Sequence, residues 1–97
     1  MDADSLRWLG YPAATLTTLA FVPQAWLTLR TRNVEGISAS TYIAFTVGVS
    51  LWLVYGWAIK DWALVVANSI TLPMAASILF IKLQEDKRAK ARRAEAR

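Results

Sequence analysis

The sequence predicts an all-α membrane protein built as a bundle of three transmembrane helices. Three observations carry this expectation. Charge is segregated: up to Lys82 it occurs only at Asp2, Asp4, Arg7, Arg30, Arg32, Glu35, Lys60 and Asp61. Between these positions lie uncharged stretches at 8–29, 36–59 and 62–81, of 22, 24 and 20 residues. A helix rises about 1.5 Å per residue, so about 20 residues cross a hydrocarbon core roughly 30 Å thick. A soluble chain of 97 residues would instead carry charge along one face of each helix.

The elements follow in order. The first span covers about 10–29 and contains Pro23-Gln24. Proline there frees the carbonyl of Leu19, and the Gln24 amide needs a partner in protein or a wet cavity. A simple kink and a hinge beside a polar path both fit. Seven residues, 30–36, lead to the second span, about 37–59. Lys60-Asp61 then turns the chain into the third span, about 62–81, which Pro73 makes bendable in the same way. Links this short set consecutive spans antiparallel and next to one another. Residues 1–83 thus form one transmembrane domain, and 84–97 form a charged tail. The tail either extends the third helix into water or is disordered.

Orientation follows from Lys and Arg. The first loop and the tail hold nine of them, and the N-terminus and second loop hold two. The expected topology puts the N-terminus outside and the C-terminus in the cytoplasm, in a multi-pass inner (plasma) membrane protein. Trp8, Tyr11, Trp57 and Trp62 then cluster at the outer interface. Acidic Asp2 and Asp4 ahead of the first span argue against a cleaved signal peptide. The net charge of +4 resides in the tail, so basicity is an orientation signal and nucleic acid is not an expected partner. There is no Cys and no His. With no carboxylate inside a span either, no catalytic set can be assembled, and neither an enzyme nor a cofactor or metal is expected.

The polar residues inside the spans carry the functional reading. Asn68 lies seven residues after Asp61 and Trp52 nine before it. At about 1.5 Å per residue they sit roughly 10 and 13 Å below the same turn. They therefore share a depth near the midplane, where secondary transporters hold substrate. An indole face packs on apolar C–H while an amide bonds to hydroxyls, which suits a sugar. Taken singly, Asn68 also reads as an interhelical hydrogen bond and Trp52 as packing. Tyr55 and Asp61, with Lys60 beside them, are placed to close over such a site. A plain solvated turn at Lys60-Asp61 fits equally. Ser40, Ala44, Gly48, Trp52 and Gly56 form a four-residue repeat that reads as close helix packing.

These residues resemble a known family. Phe21, Val22, Pro23 and Gln24, followed by the run Thr31 to Ser38 with its Val-Glu-Gly-Ile-Ser segment, are similar to the PQ-loop signature. The run Leu51 to Gly56, then Asp61, then Ala67-Asn68-Ser69, resembles the bacterial SemiSWEET sugar transporters. The likeness covers about residues 10–83. It implies a three-helix unit that assembles as a parallel homodimer of 3+3 helices. Independently, three helices are too few to enclose a sugar-wide path. The resemblance also implies roles: Trp52 and Asn68 bind substrate, Tyr55 and Asp61 with Lys60 form an outer gate, and Pro23 with Gln24 is a hinge. Tyr42 and Phe45 are inner-gate candidates. The expected activity is facilitated diffusion of a sugar of the sucrose or glucose class by alternating access. The alternatives are a carrier of another small solute and a non-transporting subunit of a membrane complex.

Overall fold

The computed structural model describes residues 3–96; Met1, Asp2 and Arg97, two of which entered the charge argument, lie outside the described residues. A short helix α1 (Ala3–Arg7) precedes three long ones, α2 (Gly10–Thr31), α3 (Ala39–Ala58) and α4 (Trp62–Glu95). Pro12 sits in the first turn of α2, where its missing N–H is not needed.

Helix α2 runs through Pro23 to Arg32, which closes it in the left-handed region (φ 55) with its N–H on the Thr28 carbonyl at 2.8 Å. Four of its threonines donate to carbonyls of the preceding turn, Thr15 to Tyr11 at 2.7 Å and Thr31 to Leu27 at 2.8 Å among them. Hydroxyls bonded in this way enter lipid without an open donor. By length and composition α3 and α4 suffice to cross a membrane. Helix α2 has the length, but its threonines, Pro23 and Gln24 dilute its apolarity.

The connection to α3 turns at residues 34–37, with the Ile37 N–H on the Val34 carbonyl at 3.1 Å, and Ser38 caps α3 by accepting from the Thr41 N–H at 3.3 Å. Helix α3 ends in a Schellman cap. The Asp61 N–H reaches the Gly56 carbonyl at 2.8 Å and the Lys60 N–H reaches Trp57 at 3.2 Å. Lys60 occupies the left-handed position (φ 57) that glycine usually fills. Asp61 then caps α4, its Oδ1 accepting from the Leu64 N–H at 3.3 Å. One residue thus closes one helix and opens the next, which makes the α3–α4 hairpin tight. Gly56 is required there, since a Cβ at that position would lie 2.8 Å from the Leu64 Cβ.

Helix α4 is the central element. It packs against both α2 and α3, whose backbones do not approach each other. The expectation that consecutive spans are neighbours therefore holds for α3 and α4 and fails for α2 and α3. A seven-residue link fixes the distance between helix ends but leaves room for another helix between them. The buried residues lie along this arrangement: Ala25 on α2, Val49 and Gly56 on α3, Ala63, Ala75, Ile78 and Ile81 on α4. The small-residue repeat of α3 divides accordingly. Gly56 packs on α4, while Gly48 faces open space.

The tail extends α4 as one helix to Glu95. It is clasped to the α2–α3 connection. The Arg32 guanidinium donates to Glu85 and Gln84 at 2.9 Å each, and Val34 is buried beneath. The molecule measures 64 × 23 × 17 Å. Its length exceeds a hydrocarbon core of roughly 30 Å about twofold, so the far end of α4 stands in water. Its sides are apolar and exposed, with Trp8 at 72%, Leu16 at 68% and Val54 at 68%. No polar or charged residue is buried among the described residues. Such a surface belongs in lipid.

Candidate functional site: a groove between α2 and α3

Because α4 holds α2 and α3 apart, a groove opens between them with α4 as its floor. Its volume is about 490 Å³, within the range of small-molecule sites. Trp52 from α3 and Asn68 from α4 both line it, as do Phe45 and Asp61. The two residues that the sequence places at a similar distance from the Lys60-Asp61 turn thus line one groove.

Trp52 is 55% exposed and stands at an edge, facing the groove on one side and the open flank of α3 with Gly48, Leu51 and Tyr55 on the other. Tyr55 does not line the groove. Its ring meets the Trp52 indole edge-on, with centroids 5.6 Å apart, and braces it. Asn68 Nδ2 donates to the Leu64 carbonyl at 2.8 Å. That bond fixes the amide's direction and leaves its second N–H and its Oδ1 for a ligand.

Phe45 closes the groove further along. Its ring lies 5.9 Å from Phe21 of α2 and 5.7 Å from Tyr42, so Phe21–Phe45 is a side-chain contact between α2 and α3. Pro23 and Gln24 are exposed on α2 just beyond Phe21. Lys60 lies outside the groove at the turn, and among the described residues no ion pair joins it to Asp61. The Asp61 carboxylate, at the turn end of the groove, is the charged group on its walls.

Sequence reasoning overlooked part of the lining: Phe21, Thr17 and Thr18 on α2, and Thr71 on α4. The available signal was the run Gly10, Ala13, Thr17, Phe21 at helical spacing on α2, with Thr71 one turn after Asn68.

A three-helix membrane unit with a half-open, mostly apolar groove carrying one indole, one amide and a few hydroxyls has the makings of a small-solute carrier. Comparison with known proteins specifies which. The PQ loop repeat family model matches residues 6–68. A protein named sugar transporter SemiSWEET from Escherichia coli (strain UMEA 3162-1) is 48% identical over 80 residues, covering 82% of this chain and 90% of that one. Another of that name from Bradyrhizobium diazoefficiens is 37% identical over 84 residues, covering 87% and 98%. Among solved structures, a SemiSWEET in the inward-open conformation superposes with a TM-score of 0.86 at 42% identity, covering 94% of this chain and 98% of that one. A bacterial homologue of SWEET transporters gives 0.67 at 32% identity, with coverage of 80% and 94%. The chain belongs to the PQ-loop family, in its SemiSWEET group.

Proposed function

We propose that this protein is a facilitative sugar transporter that works as a parallel homodimer, its solute held between the Trp52 rings and Asn68 amides of two copies. The observation that carries the reading is that Trp52 and Asn68 line one groove, which holds no charge except Asp61 at its turn end. An indole and an amide suit a neutral polyhydroxyl solute of the sucrose or glucose class, and the absence of a midplane charge disfavours a charged one. In a single chain the groove is only partly enclosed and Trp52 is more than half exposed. A second copy supplies the missing wall. The names of the relatives, sugar transporters over nearly their whole length, support the same activity. They give no ground for expecting an enzyme.

The proposed cycle assigns Tyr55 and Asp61 to the outer closure, with Lys60 as an added charge at the turn. Tyr42 and Phe45 form the inner closure, and Pro23 with Gln24 is the flexing point of α2. The hinge reading is supported by Pro23 lying just beyond the Phe21–Phe45 contact. Nine basic residues against two support a cytoplasmic C-terminus.

Uptake of radiolabelled sucrose and glucose into liposomes tests the reading, with wild type beside Trp52→Ala and Asn68→Ala. Wild type is expected to transport at least one sugar, and both variants to lose most of that activity while remaining folded. Wild type that moves neither sugar contradicts the substrate class. Variants that match wild type contradict the site.

A further inference from the structure

The groove carries more hydrogen-bonding chemistry than Trp52 and Asn68, both on its α2 wall and on its α4 floor. Thr17 lies on α2 and Thr71 on α4, one turn from Asn68. Neither hydroxyl has a proton to offer. Thr17 Oγ1 donates to the carbonyls of Ala13 and Ala14 at 3.1 and 3.2 Å, and Thr71 Oγ1 donates to that of Ala67 at 2.9 Å. A hydroxyl has one donor and two acceptor lone pairs, so what remains on each is acceptor capacity. Asn68 Oδ1, one turn from Thr71 on α4, adds another acceptor. The walls are thus rich in acceptors, with the second Asn68 N–H as the counterpart donor.

We infer that Thr17 and Thr71 are substrate-contacting residues whose oxygens accept hydrogen bonds from solute hydroxyls, so that the groove selects solutes by the O–H donors they carry. The inference rests on the carrier reading and deepens it. A solute whose hydroxyls are removed loses its partners on both helices, and the acceptors it leaves lose their bonds as well. The indole supplies a face for the ring, and the two threonines supply the reading of its edge.

The molecule contains its own control. Thr15, also on α2, makes the same bond to its preceding turn, to the Tyr11 carbonyl at 2.7 Å, but lines a different groove between α2 and α4. Threonine to valine keeps shape and removes the oxygen. The test compares concentration-dependent uptake for wild type, Thr17→Val, Thr71→Val and Thr15→Val, with glucose and a series of singly deoxygenated glucoses. Thr17→Val and Thr71→Val are expected to raise the half-saturating concentration about three- to tenfold with little change in maximal rate. Thr15→Val is expected to match wild type. For at least one deoxy sugar, whose missing hydroxyl is the one Thr17 accepts, the Thr17→Val penalty disappears. Wild type that transports while Thr17→Val and Thr71→Val behave as Thr15→Val overturns this assignment alone. So does a penalty identical for every deoxy sugar. Wild type that moves no sugar overturns the carrier reading together with it.

Discussion

Asp61 holds two structural bonds, its N–H on Gly56 and its Oδ1 on the Leu64 N–H, and its carboxylate also borders the groove. The two duties separate by substitution. Asparagine caps as well as aspartate but carries no charge. Asp61→Asn should therefore keep the melting temperature of the detergent-solubilised protein and change only transport, while Asp61→Ala should cost about 1 kcal/mol of stability as well. Lys60 beside it occupies a left-handed backbone position, which costs a non-glycine residue about 1 kcal/mol. Thermal denaturation should find Lys60→Gly more stable by about that amount. Thr46 Oγ1 is buried and without a hydrogen-bond partner among the described residues. Thr46→Val should leave stability unchanged or raised in the same assay. Of the groove's lining, Trp52 and Asn68 were legible in the sequence, because a Trp and an Asn in apolar runs stand out. Thr17 and Thr71 did not, because a threonine bonded to its own helix is equally at home facing lipid.

The three spans were legible as elements because charge marks their ends. Their order was not. Helix α4 lies between α2 and α3, and no pattern in the chain distinguishes this from sequential packing, since each helix is apolar nearly all round. The hairpin of α3 and α4 depends on Gly56, where an added methyl would press on Leu64. Gly56→Ala should destabilise by about 1–3 kcal/mol, as overpacking does, read as a lowered melting temperature. The clasp of Arg32 on Glu85 and Gln84 ties the α2–α3 connection to α4. It is partly solvent-exposed, with side chains 41% and 26% accessible, so Arg32→Ala should lower stability by no more than about 1 kcal/mol, and less at high salt. The clasp was hidden in the sequence. The tail reads as a run of mixed charge, and its partner lies 53 positions earlier.

As a whole, the molecule is a rod with an apolar flank and a groove that a single copy leaves open. The likeness to the inward-open SemiSWEET structure extends over 94% of the chain, so the whole three-helix arrangement, and not one loop or end, is shared with it. In the proposed carrier, two copies share one solute site. Co-expression of wild type with Asn68→Ala at equal dose, followed by purification and uptake into liposomes, tests it most directly. If each site needs both amides and the copies mix at random, activity falls to about a quarter of the wild-type level, the fraction of pairs with two intact subunits. Activity of about half, tracking the share of wild-type subunits linearly, would mean that each copy transports alone and would contradict the shared site.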